Sequence, residues 1–170
     1  MTDKLTPYKL IVLYMLDRVD FPLTKAQIGD FILEKEYTNF MTLQEVIGDL
    51  LDAKLVTAQS YRNRTHLKLT KEGKDAIHFF ENDINSDIKQ EINDYFKKNQ
   101  IELRNEVSIT ADYYKATSGE YESHLVAMDK DIKLLDLTLS VPIEETAIRI
   151  CDNWNKHNQE IYQYLVKTLF

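Results

Sequence analysis

Residues 23–73 read LTKAQIGDFILEKEYTNFMTLQEVIGDLLDAKLVTAQSYRNRTHLKLTKEG, and the order of elements in this stretch decides the fold. Thr24-Lys25-Ala26-Gln27 and Thr42-Leu43-Gln44-Glu45 each have the form of a capping box. In such a box a threonine hydroxyl takes an orphan backbone N–H, and a Gln or Glu three residues on reaches back. Glu36 to Phe40 forms a polar and aromatic connector without proline. Leu55-Val56-Thr57-Ala58 and His66-Leu67-Lys68-Leu69 read as short strands around an exposed turn, Ser60-Tyr61-Arg62-Asn63-Arg64-Thr65. Thr70-Lys71-Glu72-Gly73 opens a further helix. Helix, turn, helix, hairpin, helix is the order of a winged helix-turn-helix.

Upstream, Thr6-Pro7 predicts a helix start with Thr6 as N-cap, and Leu10, Ile11, Leu13, Tyr14 and Leu16 give that helix a broad apolar face to about Val19. The second helix is expected over roughly Lys25 to Glu34, and Ile28, Phe31 and Ile32 turn it toward the core. The third helix is expected over roughly Leu43 to Ala53, with Leu43, Val46, Ile47, Leu50 and Leu51 inward. Its outer face is acidic through Glu45, Asp49 and Asp52. Only its first turn therefore suits phosphates or base edges, with Thr38, Asn39, Thr42 and Gln44 as the hydrogen-bonding groups. The hairpin supplies the positive charge. Tyr61, Arg62, Asn63, Arg64 and Lys68 complete the candidate DNA-contacting set, the arginines being suited to a phosphate or a minor groove.

A fourth helix is expected over about Lys71 to Glu81 and a fifth from Asp87 to about Lys98, capped by Ser86. The period then changes. Val107 to Tyr114, Tyr121 to Met128 and Ile132 to Val141 read as three strands joined by short connections, an antiparallel meander. A long helix follows, about Ile143 to Thr168, with a heptad-like seam of Ile143, Ala147, Ile150, Trp154, His157, Ile161, Tyr164 and Thr168. The expected fold class is α+β: an N-terminal winged helix-turn-helix, then a three-stranded antiparallel sheet packed with a long C-terminal helix. The expected domains are 1–99 and 100–170. A sheet of three strands with one helix buries little alone, so the second is expected to form a homodimer.

Charge follows the same division. Residues 1–80 hold 11 basic and 11 acidic side chains, and residues 81–170 hold 10 and 17, so the whole net charge of -7 lies in the second half. A neutral head with a local basic loop can approach DNA. An acidic second half suits sensing, dimerisation or protein contact. Tyr113, Tyr114, Tyr121, Tyr162 and Tyr164 can line an effector pocket or pack across strands. No apolar run of membrane-spanning length occurs, residues 1–5 have no leader-like pattern, and the lone Cys151 excludes an internal disulfide. A cytoplasmic chain is expected. His66, His78, His124 and His157 are scattered, and the four glycines make no phosphate loop, so neither metal nor cofactor nor catalysis is expected.

The chain resembles a bacterial family of winged-helix proteins of uncharacterised function, often labelled transcriptional regulators. The residues that carry the resemblance are Lys9 to Asp17, Val19 to Thr24, Phe31 to Asn39, Thr42-Leu43-Gln44, Asn63-Arg64-Thr65, Leu69 to Gly73 and Ile150 to Trp154. It implies double-stranded DNA as partner, by analogy of fold, and no defined operator or ligand. The alternatives are a protein-interaction module that keeps the scaffold without DNA, and an effector sensor.

Overall fold

The structure, a computed structural model, describes residues 3–61, 64–130 and 132–170; the side chain of Tyr61 lies outside the description. The fold is α+β. Its elements are α1 (Thr6–Asp17), β1 (Leu23–Thr24), α2 (Lys25–Glu34), α3 (Phe40–Asp52), β2 (Val56–Tyr61), β3 (Arg64–Leu69), α4 (Lys71–Phe80), α5 (Ser86–Ser108), β4 (Ile109–Lys115), β5 (Tyr121–Asp129), β6 (Ile132–Val141) and α6 (Glu144–Leu169). A single 3-10 turn, Glu81–Asp83, joins α4 to α5. The chain divides into two compact units, residues 1–107 and 108–170. Among the described residues no helix is long and apolar enough to cross a membrane.

In the first unit α1 is the central element. Every residue from Leu10 to Leu16 is buried, the pattern of a helix surrounded by the core rather than lying on it. It packs against α3, α4 and β3. Thr6 does not cap it: the N-cap is Leu5, no side chain closes the end, and Pro7 lies in the first turn. The helix needs no cap where Pro7 presets the first-turn geometry and supplies no orphan N–H. The helix also stops at Asp17, short of Val19.

The sheet of this unit runs β1-β3-β2, antiparallel throughout. Both strands of the hairpin are longer than expected. Pairing extends to Tyr61↔Arg64, so Arg64 belongs to a strand, and Arg62 and Asn63 between them lie outside the described residues. β1 is too short to show a periodicity of its own; it exists because Leu23 and Thr24 pair with Leu67 and His66. At the start of α4, Thr70 Oγ1 accepts from Gly73 N–H at 3.0 Å and donates to Lys54 O at 2.7 Å. Gly73 is obligatory there, because a Cβ would overlap the Leu55 carbonyl.

Helix α5 runs to Ser108, past the expected end near Lys98. The polar run Lys97 to Gln100 resembles a helix end, yet Leu103 and Val107 continue the buried stripe of Ile92 and Phe96 at spacings of seven and four. Gln27 fastens this helix to α2. Its Nε2 donates to Leu103 O at 3.3 Å and to Glu106 Oε2 at 2.6 Å, while its Oε1 completes the capping box with Thr24.

The second unit is a β4-β5-β6 antiparallel sheet with α6 on one face. A bulge interrupts β5–β6 pairing at Ala127/Met128; Asp131 of the connection lies outside the described residues. The helix is fixed through Ser123 Oγ to Ala147 O at 3.1 Å and Trp154 Nε1 to Val126 O at 3.3 Å. Its seam is buried only at Ala147 and Trp154, with Cys151 beside them, and Ile143 and Tyr164 are exposed.

Candidate nucleic-acid interface

The connection between α2 and α3 is built by local backbone chemistry. Glu36 has φ 57°, and the bonds Glu36 N to Leu33 O at 3.1 Å and Tyr37 N to Ile32 O at 3.2 Å close a Schellman turn on α2. Tyr37 then packs its ring edge against Phe31 and donates to Glu91 Oε2 at 2.6 Å. Burial first, and that carboxylate second, push the Tyr37 phenol well above its ordinary range. With Tyr37 anchored, Asn39 arrives in extended geometry and caps α3, its Oδ1 accepting from Thr42 N–H at 2.9 Å.

This corrects the start of the third helix. Thr42 is its third residue, not its cap, so the box Thr42–Glu45 does not form and the helix begins at Phe40. Asn at an N-cap is at least as favourable as Thr, and Asn39 comes first along the chain. The shift adds a capped first turn that carries Phe40 and Met41, 58 % and 76 % exposed.

Around α3 the outer groups separate by angle. At 3.6 residues per turn, Gln44 and Thr42 stand about 160° apart. Gln44 shares its flank with Phe40, and Thr42 shares the other with Asp49. Asp49 faces α1, where its Oδ2 lies 3.1 Å from Lys9 Nζ. Met41, Glu45 and Asp52 form the exposed ridge between the flanks. The acidic outer face expected of this helix is therefore divided, and Asp49 is paired on the side away from Gln44.

On the Gln44 side lies a groove of about 370 Å³. The cap residue Thr24 of β1 lines it with Lys25, Ala26, Gly29, Asp30 and Leu33 of α2; α3 contributes Phe40, Leu43 and Gln44, and β3 contributes Arg64 and Thr65. Its larger apolar lining residues are Leu33, Leu43 and Phe40. Its polar side chains are two cations, one carboxylate, one carboxamide and the hydroxyls of Thr24 and Thr65. That set can hold phosphate at the cations and read a base edge through the carboxamide.

Of the sequence-derived set, Gln44 and Arg64 meet in this groove. Thr38 and Asn39 precede α3, and the Asn39 side-chain oxygen is committed to the cap. Thr42 lies on the opposite flank. Lys68 is exposed on β3, four residues and about 13 Å along the strand from Arg64. Arg62, Asn63 and the Tyr61 side chain lie outside the described residues. Between Arg64 and Lys68, His66 is buried. Burial, then the Arg64 guanidinium, hold its imidazole below the ordinary range, so it adds no charge near neutrality.

Nine of the eleven groove residues lie outside the sequence-derived set, Lys25 and Phe40 among them. The available signal is a second stripe on α2, Ala26, Gly29 and Leu33 at spacings of three and four, which marks a face beside the main apolar one.

Residues 8–169 match the model of a family described as Domain of unknown function (DUF4364), and the chain belongs to that family. No curated protein matches the chain, and no solved structure does.

Proposed function

We propose that this member of the DUF4364 family is a winged helix-turn-helix protein that binds double-stranded DNA and acts as a transcriptional regulator. In this reading α2 and α3 are the helix-turn-helix, β2–β3 is the wing, and the groove faces the duplex. Arg64 and Lys25 hold phosphates, Gln44 meets base edges, and Lys68 extends the positive strip along the wing. The second unit joins two copies, which sets two heads on one site.

The observation that carries the reading is the convergence of Lys25, Gln44 and Arg64 on one groove at the junction of α2, α3 and β3. Lys25 adds to it. It is the first residue of α2, where the positive end of the helix dipole disfavours a cation by about 0.3–1 kcal/mol. A cation in that place finds its partner outside the helix, and phosphate is the partner that suits it.

Fluorescence anisotropy of a mixed-sequence duplex, at low and moderate salt, tests the reading. Binding that weakens steeply with salt is expected. Lys25→Ala with Arg64→Ala lowers affinity and flattens the dependence of log K on log salt by about 0.9 for each phosphate no longer neutralised. Folded protein that binds no duplex at low salt overturns the reading.

The exposed Phe40 and Met41 support a second reading, a protein-interaction module on the same scaffold. Large apolar side chains beside an acidic ridge suit a basic, amphipathic partner better than a phosphate backbone. Under that reading the duplex does not bind, and charge reversal at Glu45 and Asp52 releases the protein partner.

A further inference from the structure

The second sheet has two edges, β4 and β6, since β5 lies between them. An edge strand presents backbone donors and acceptors to any strand that arrives, and proteins blunt such edges unless they use them. The two edges differ. On β4, Asp112 Oδ1 accepts from Tyr113 N–H at 2.8 Å, so a side chain of the strand itself occupies a backbone donor. On β6, ten residues run from Ile132 to Val141 with no proline among them. The register with β5 puts Leu135, Leu137, Leu139 and Val141 on the face that carries α6, and Asp136, Thr138 and Ser140 on the other.

Helix α6 covers this face unevenly. It lies over β4 and β5 more than over β6, and its bonds to the sheet reach β4 and β5, at Tyr113, Ser123 and Val126. Leu139 is 43 % exposed on the covered face, and the buried cluster is confined to Ala111, Leu125, Ala127, Cys151 and Trp154. A core that small needs a further contribution to hold a sheet and a long helix together.

We propose that β6 pairs antiparallel with β6 of a second copy about a two-fold axis at Thr138. The result is a six-stranded sheet with both α6 helices on one face. The occupant is a second copy because the strand is complementary to itself. Asp136 excludes the two registers centred on the middle of the strand, and an axis at Thr138 is the next that keeps most of it paired. Asp136 is an ionised carboxylate, 2.8 Å from Lys133 Nζ and 2.6 Å from His124 Nε2 within its own chain. An axis at Asp136 would set two carboxylates directly opposite, and an axis at Leu137 would set them on the diagonal, both unfavourable. An axis at Thr138 sets Asp136 against Ser140, Thr138 against its own counterpart, Leu137 against Leu139 and Leu135 against Val141. The leucine row left beyond α6 then becomes the continuous floor beneath two helices.

The proposal rests on the reading that the second unit joins two copies; the test uses the full chain without DNA, so its failure removes that joining and leaves duplex binding by the first unit to its own test. Sedimentation at micromolar concentration is expected to give twice the chain mass. Thr138→Cys, treated with a short thiol–thiol cross-linker, is expected to form covalent dimer several-fold faster than Asp136→Cys, which faces Ser140 rather than itself. The native Cys151 is buried and stays silent, with wild type as its control. Leu137→Lys with Leu139→Lys is expected to sediment as a monomer with the helical circular-dichroism signal retained. If that double variant unfolds, the cross-linking pair decides. A monomeric wild type, cross-linking of Asp136→Cys as fast as Thr138→Cys, or a folded lysine variant that stays dimeric overturns the proposal.

Discussion

The two units solve the burial problem differently. In residues 1–107 a helix apolar on all sides, α1, is enclosed by α3, α4 and the small sheet, and buried side chains form one cluster from Leu10 to Val107. In residues 108–170 one helix lies on one face of one sheet, and the cluster consists of Ala111, Leu125, Ala127, Cys151 and Trp154. The polar ties differ in the same sense. Gln27 and Tyr37 reach from the α2 region to α5 over separations of 54 to 79 residues, whereas α6 is held by single hydrogen bonds such as Ser123 to Ala147. A closed core can carry exposed functional groups on its rim without losing stability. A half-covered sheet invites its surface to be used for association. The difference supports the proposal that the first unit recognises and the second self-associates.

The largest expected effects test whether the units are separate at all. Phe31 is buried against Tyr37 and Tyr95, and Phe31→Ala is expected to destabilise the first unit by about 3–5 kcal/mol. Leu125→Ala is expected to destabilise the second by about 2–5 kcal/mol. Trp154 is the only tryptophan, so its fluorescence in denaturant reports the second unit, while far-ultraviolet circular dichroism is weighted to the helices of both. Phe31→Ala should leave the fluorescence midpoint unchanged, and Leu125→Ala should lower it. Equal shifts of both signals in both variants would mean one cooperative body and would remove the contrast.

A smaller effect sharpens the geometry on which the recognition reading rests. Because Asn39 caps α3, Asn39→Ala is expected to lower the stability of the first unit by about 1 kcal/mol. Thr42→Ala lies within the first turn and gains helix propensity, so it should be neutral within about 0.5 kcal/mol. Denaturant titration of the two variants, followed by circular dichroism, distinguishes them. The reverse order would return the helix start to Thr42 and take Phe40 out of the groove.

Much of this architecture is visible in the residues. The Thr24–Gln27 capping box, the limits of α2 and the span Ile132–Val141 follow from local chemistry, since a cap, a period and a following proline act within a few residues. What is hidden depends on competition or on distance. Asn39 and Thr42 both satisfy the rule for a cap, and the winner is set by where Tyr37 is anchored, by a glutamate 54 residues away. β1 has two residues and exists through its pairing with β3. The end of α5 is masked by Lys97 to Gln100, because polar residues on an exposed face look like a terminus until Leu103 and Val107 are seen to be buried. The groove is legible to the same extent. Gln44 and Arg64 stand out by type and place, but Thr42 turns away by its angle on the helix. Lys25 is concealed because a lysine beside a capping threonine looks like ordinary surface.

The smallest expected effect separates the units by acid. His66 is buried on β3, and burial with the nearby Arg64 holds its pKa below the ordinary 6.5. The folded state then binds fewer protons than the unfolded chain as pH falls below 6.5. The stability this group contributes is full above that pH and declines as pH drops through the lowered value. In the second unit, Lys133 first and His124 next hold Asp136 below its ordinary 3.8. Its contribution is full above 3.8 and declines only below it. Between these values acid should weaken the first unit through His66 while Asp136 still supports the second. Midpoints measured by circular dichroism and Trp154 fluorescence, from neutral pH downward, check this. His66→Gln should remove part of the acid sensitivity of the first unit and leave the fluorescence midpoint unchanged. If His66→Gln alters neither, the imidazole is protonated without penalty, and β3 carries one more positive charge beside Arg64 at mildly acidic pH than the buried neutral ring allows.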